Sequence, residues 1–245
     1  MPRYCVEVSY KGSRYAGFQV QENANTIQAE VEKALGIFFR STFELTGSSR
    51  TDTGVHALQN FLHFDQVEPL SAELLKEAPY HINAILPNDI VLHSITAKSD
   101  NFHCRFDALS REYEYYVYSK KDPFMEHRGY YFPYTLNLVA LEAAAKEVMK
   151  HTHFETFSKK RNQVKTFECQ IFTSEWVLAE QSYIYRVKGS RFLRGMVRGL
   201  VGTMLRVGTG KLSQSEFSEI IKAGDQSKAD FSVPSQGLFL VRVNY

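Results

Sequence analysis

At 245 residues the chain is long enough for one large domain or two ordinary ones, and either can bury a proper core. Apolar residues make up 44% and charged residues 23%, the proportions of an ordinary globular protein, and a net charge of only +2 excludes a polycation, so any nucleic-acid surface must be a local patch. The three cysteines, Cys5, Cys104 and Cys169, are odd in number, far apart and without C-x-x-C spacing, which excludes a thiolate zinc site and fits reduced thiols in a cytoplasmic protein.

In chain order, Tyr4, Val6, Val8 and Tyr10 alternate with polar residues as a half-buried strand rather than an apolar leader, and KGSRYAG breaks the pattern. A helix follows, with Asn25 as its cap, Gln28 three residues on, and Ile27, Val31, Leu35 and Phe38 at helical spacing. The segments FELT and NFLHF read as strands on either side of the polar stretch GSSRTDTGVHALQN, which places Asp52 on a loop. Residues 71–86 read as a second helix ended near Pro87, and IVLHSITA as a strand. To about residue 105 the order is β, α, β, β, α, β. The second half repeats it: SREYEYYVYS is a strand, 137–151 a helix, 166–178 and 182–189 two strands, with a helix from about Phe192, another opened by the Ser213 to Glu216 box, and the closing strand GLFLVRVNY. The expected fold class is α+β, two split-βαβ halves over 1–105 and 106–245 with mainly antiparallel strands and helices on the sheet faces. No run approaches the roughly 18 apolar residues of a membrane helix, so no membrane partner is expected.

Two stretches carry chemistry. In GSSRTDTGVHALQN, Asp52 lies between Arg50 and His56; Gly and Asp are ordinary turn residues, and most turn aspartates do nothing further. In SRFLRGMVRGLVGTMLRVGTGK, Phe192, Met196, Leu200, Met204 and Val207 form an apolar stripe, with Arg191, Arg194 and Arg198 on another side. Glycines 195, 199 and 202 each weaken a helix by about 1 kcal/mol against Ala, so something must approach it closely. A guanidinium on such a buried face needs a partner, and Arg198 is the best placed of the three. The loop KKRNQVK, residues 159–165, taken alone is a solvated hairpin end, and His151 and His153, without further ligands, read as exposed residues rather than a metal site.

The chain also resembles the tRNA pseudouridine synthase A family, of the TruA type. The residues that carry the resemblance run in the family's order: YKGSRYAGFQVQ with NTIQ, SRTDTGVHA, NAILPNDI, FHCRFDALSREYEY, SRFLRGMVRGLVGTMLRVGTGK and VPSQGLFLVRVNY. It implies an enzyme without cofactor or metal that isomerises uridine in the tRNA anticodon stem-loop, at positions 38, 39 or 40. It further implies two halves sharing a central mixed sheet, and a homodimer as the RNA-binding body. By the family pattern the catalytic aspartate is Asp52, the intercalating arginine Arg50, the pocket tyrosine Tyr113, the aspartate-pairing arginine Arg198 and the pocket leucine Leu238. Three departures stand out: Ser48 and Ser49 where Gly or Ala is common, Phe18 for a frequent Trp, and HTHF at 151–154 for His-Asp-Phe.

The implied chemistry breaks the N1 to C1′ bond, turns the uracil and joins C5 to C1′. A nucleophilic carboxylate can hold the pieces, attacking C1′ or C6, and an arginine beside it favours its charged form. Reaching a stem base requires flipping it out, and an intercalating Arg50 fills the gap. Tyr113 over the base can take the C5 proton, whereas Tyr115, Tyr116 and Tyr118 read as ordinary sheet aromatics. Phosphate contacts are expected from Lys159, Lys160, Arg161, Arg191 and Arg194. Two rivals remain. Asp52-Thr53-Gly54 is the aspartic-protease tripeptide, but it occurs once and a neighbouring arginine disfavours a shared proton. A catalytically silent RNA chaperone would have no need of Asp52, Tyr113 and Arg198 together.

Overall fold

The computed structural model describes residues 1–159, 165–179 and 182–245, and divides them into two compact units, Met1–Leu109 with Leu240–Tyr245, and Ser110–Phe239. Lys160 and Arg161, expected to meet phosphates, lie outside the described residues.

In the first unit β1 (Arg3–Tyr10) is the central strand, paired antiparallel with β3 (His56–Asp65) on one side and β4 (Ile90–Lys98) on the other. A short β2 (Thr46–Gly47) pairs with the far end of β3. The alternation read from the sequence holds from Val6 on, with Tyr4, Val6, Val8 and Tyr10 all buried, but Cys5 on the opposite face is buried as well. Helix α1 (Ile27–Phe39) buries Ile27, Val31, Ala34 and Leu35. Its cap is Thr26, not Asn25: the Thr26 side chain accepts from the Ala29 N–H, while the Gln28 N–H is taken by the Phe18 carbonyl and no Gln28 capping box forms. Of the expected FELT strand only Thr46 pairs, because Phe43 and Leu45 bury their side chains in the core without joining a ladder. Helix α2 (Ala72–Asn83) carries Pro79 inside it and stops three residues short of the expected end, where the Asn83 side-chain amide bonds both backbone groups of Leu92.

In the second unit β8 (Ser182–Gly189) lies between β5 (Ser110–Tyr118) and β7 (Ile171–Ala179), both antiparallel to it. A two-residue strand, β6 (Tyr130–Tyr131), pairs parallel with β5 and was not foreseen. Residues 166–170, expected in a strand, contribute one isolated bridge, His153 to Glu168. Helix α3 (Leu138–Val148) and helix α5 (Gln214–Lys222) are crosslinked through Glu147, which accepts from Ser218, Lys150 and His151. Those bonds hold the Glu147 carboxyl down at about 2, and they make His151 a half-buried partner rather than the exposed residue expected. The Ser213 to Glu216 capping box forms as expected.

Helix α4 (Met196–Gly208) begins one turn later than the spacing predicts, because Gly195 adopts a left-handed conformation, φ 75°, as its N-cap. Arg191 and Arg194 therefore precede the helix and do not share a face with Arg198. Every residue of α4 except Arg198 and Arg206 is buried, as expected of a helix that is apolar almost all round. The final strand β9 (Leu238–Asn244) gives its Leu240–Asn244 part to the first unit, beside β3. Among the described residues strand pairing is mixed and mainly antiparallel, with five α-helices, an α+β fold. Among the described residues no helix is long and apolar enough to cross a membrane.

Candidate active site

Asp52 sits on the loop between β2 and β3, and its backbone is fixed from several directions. At the entrance, the Thr46 carbonyl accepts from Cys104 Sγ at 3.0 Å, and Ser48 N–H donates to the Phe61 carbonyl at 2.7 Å. Cys104 also meets Nδ1 of His63, whose pKa burial and the nearby Arg3 lower to about 4, so the imidazole is neutral. From β3, the fully buried Asn60 is bonded at both ends of its amide: Nδ2 donates to the Ser49 carbonyl and to Tyr10 Oη, and Oδ1 accepts from the Phe61 N–H. Tyr10 Oη in turn shares a hydrogen bond of 2.8 Å with Thr51 Oγ1. On the other side, Phe18 N–H donates to the Thr51 carbonyl, and the Asp52 carbonyl accepts from Val55 N–H across a turn in which Gly54 has φ 80°.

The stretch that breaks the first strand pattern supplies the seat for this loop. Gly12 N–H donates to His56 Nδ1 at 3.1 Å, so that nitrogen carries no proton. A Cβ on Gly12 would stand 2.0 Å from the Val55 carbonyl oxygen, and Gly17, at φ 109°, faces the Thr51 carbonyl and Thr53 nitrogen. Only glycine allows so close an approach. The result is a half-exposed Asp52 between buried Thr51 and exposed Thr53, with Arg50 exposed two residues before it.

The remaining site residues belong to the second unit. Tyr113, on β5, is half-buried, its ring edge-on to Phe192 with centroids 5.1 Å apart. Phe192 lies in the segment leading into α4, where the Arg111 guanidinium holds the Ser190 carbonyl at 3.1 Å. Arg198 projects from the first turn of α4. Its Nε donates to the Val233 carbonyl at 2.9 Å, and Nη2 donates to Val233 at 2.6 Å and Phe231 at 3.3 Å. These bonds leave Nη1 outside them. Carbonyl dipoles solvate the guanidinium without neutralising it.

The close approach expected at the glycine-rich helix is this same segment. A Cβ on Gly202 would stand 2.2 Å from the Asp230 carbonyl oxygen and one on Gly199 2.7 Å from the Phe231 ring, while Asp230 N–H donates to Thr203 Oγ1. Lys159 packs beside Gly195, its Nζ 5.8 Å from the centre of the Phe231 ring and its N–H on the Arg194 carbonyl, so its stem is part of the packing around the segment. Arg194 is exposed, Arg191 half-exposed, and Leu238 is buried at the end of the segment.

Sequence reasoning missed Tyr10, Asn60 and Tyr115. The last has the sequence context of an ordinary sheet aromatic, yet its hydroxyl donates to the Pro234 carbonyl at 2.6 Å. Its signal was available in the strand alternation, since Tyr113 and Tyr115 are two apart and share a face of β5. Asn60 had only the weak signal of a polar residue at a core position of a strand.

A family model described as tRNA pseudouridine synthase matches residues 7–107 and 144–245. The chain belongs to the tRNA pseudouridine synthase family. That membership makes it an isomerase that converts uridine in tRNA to pseudouridine. Proteins named tRNA pseudouridine synthase A from Parabacteroides distasonis and Porphyromonas gingivalis are 40% and 39% identical to it, over all of this chain and 96% and 98% of theirs. The protein of that name from Bacillus subtilis is 37% identical over 97% of both chains.

Proposed function

We propose that the enzyme acts on uridines of the anticodon stem-loop, at positions 38, 39 or 40, as a cytoplasmic homodimer, with Asp52 as its nucleophile. The observation that carries the reading is the loop itself: a half-exposed carboxylate whose neighbours Ser49 and Thr51 are held by buried neutral groups, within the stretch SRTDTGVHA that resembles the family's motif. Asp52 bonds covalently to the substrate, at C1′ or at C6, and so retains the uracil and the ribose while N1 and C5 exchange places. Arg198 is the cation that the family pattern assigns to the aspartate, and its guanidinium keeps its full charge on two carbonyls. Tyr113 stacks on the base and relays the C5 proton, with Leu238 walling the pocket against water. Arg50, exposed beside Asp52, enters the space left by the flipped nucleotide. Lys159, Lys160, Arg161, Arg191 and Arg194 bind phosphates of the stem.

The test is Asp52→Asn, which keeps the side chain's size and removes its nucleophilic charge. Tritium release from C5-labelled uridine in bulk tRNA is expected to vanish in the variant while tRNA binding persists, and mapping the product of the native enzyme gives the positions used. Steady turnover by the variant sinks the assignment of Asp52. Product confined to another part of the tRNA sinks the anticodon reading.

A further inference from the structure

Residues 231–238, FSVPSQGL, are held from their own unit at three carbonyls, those of Phe231, Val233 and Pro234. Arg198 takes Phe231 and Val233, and Tyr115 Oη takes Pro234 at 2.6 Å. The Tyr115 ring then fills the space over Gly237, where an added Cβ would stand 2.7 Å from Cζ and 2.9 Å from Cε1. Tyr115 is fully buried. Burial raises its phenol far above the usual range, so it remains a neutral donor at every working pH. Leu238 follows Gly237 directly, and Tyr113 stands two residues from Tyr115 on the same face of β5.

We infer that Tyr115 is a positioning residue for the isomerisation: its hydroxyl and ring together set the place of residues 234–237, and through them of the Leu238 side chain. The inference rests on the reading of Leu238 as a wall of the uracil pocket. Reaction geometry tolerates little error, a displacement of about 1 Å being enough to slow a reaction about 100-fold. A bond that fixes one carbonyl of a turn without touching substrate acts through that geometry.

The test compares four variants of the full-length enzyme by single-turnover rate, tRNA Kd and Tm. Tyr115→Phe keeps the ring over Gly237 and removes the bond to Pro234. It is expected to slow the single-turnover rate about 10- to 100-fold with Kd unchanged. Gly237→Ala presses on the same contact from the other side, slows the reaction likewise, and serves if Tyr115→Phe folds poorly. Tyr185→Phe is the control for lost stability. Tyr185, opposite Tyr115 in the ladder, is equally buried and loses a comparable bond, to Ser174 Oγ at 2.8 Å instead of to a carbonyl of residues 231–238, so its rate is expected to stay native. Leu238→Ala tests the underlying reading. Native rates in Tyr115→Phe and Gly237→Ala while Leu238→Ala is slow overturn the inference alone. A Tyr185→Phe rate as low as that of Tyr115→Phe also overturns it, since lost stability then explains both. A native rate in Leu238→Ala overturns the pocket reading instead.

Discussion

In the first unit the Asp52 loop rests on Gly12 and Gly17, and neutral groups bond its Ser49 and Thr51: the Asn60 amide, the Tyr10 hydroxyl and the Phe18 N–H. In the second, residues 230–233 rest on Gly202 and are held by the Arg198 guanidinium, at Phe231 and Val233. Both segments are brought within van der Waals contact of their support by glycines, which leaves little slack in either backbone. They differ in what the support adds electrostatically. The bonds at Ser49 and Thr51 fix the backbone beside Asp52 with groups that carry no charge. A guanidinium makes stronger bonds to carbonyls than a neutral amide and, unlike an amide, keeps a positive charge available for a second task.

The comparison is broken most sharply at Arg198. In Arg198→Met the helix face stays covered but the charge and both carbonyl contacts go. Single-turnover isomerisation is expected to fall about 100- to 1000-fold, with a smaller change in tRNA affinity. An unchanged single-turnover rate with collapsed binding would make Arg198 a phosphate contact and remove the contrast between the two regions.

Glycine seating is tested at Gly202. Alanine favours a helix by about 1 kcal/mol, but its Cβ would meet the Asp230 carbonyl oxygen at 2.2 Å, and that backbone is pinned by the bond from Asp230 N–H to Thr203. Overpacking wins, and Gly202→Ala is expected to lose a net stability of about 1 to 3 kcal/mol, read from denaturant midpoints. A native midpoint would mean that residues 230–233 yield readily, unlike the Asp52 loop.

The smallest effect is expected at Ser49, one of the two serines at family Gly or Ala positions. Its hydroxyl is buried and makes no hydrogen bond among the described residues, so the loop carries a desolvated polar group. Ser49→Ala is expected to raise stability by about 1 kcal/mol, visible as a higher Tm. A lower Tm would reveal a partner for the hydroxyl, such as an ordered water, and would add a further neutral bond to the loop's support.

Much of this was legible in the chain. Strands β1, β4, β5, β8 and β9 declare themselves by alternation, and helices α1, α3 and α5 by an apolar stripe with a capping residue near its start, because those signals are local and survive any packing. The motif around Asp52 and the glycines of α4 were likewise visible, the latter as a demand for something close. What the sequence left undecided was the identity of the neighbour. That residues 230–233 lie on α4, that Asn60 reaches Ser49 and Tyr10, and that Tyr115 bonds Pro234 are contacts between residues 11 to 119 positions apart. The start of α4 was misplaced by one turn for the same reason: Phe192 fits the helical spacing, but its ring is needed against Tyr113, and Gly195 turns the chain to put it there. By itself the sequence determined the family, through the order of its motifs, and most of the element order, through periodicity, with Asp52 placed on a loop. Only the tertiary structure decided what holds each functional segment in place, since a buried donor finds its acceptor in space and carries no mark of that acceptor in its own stretch of chain.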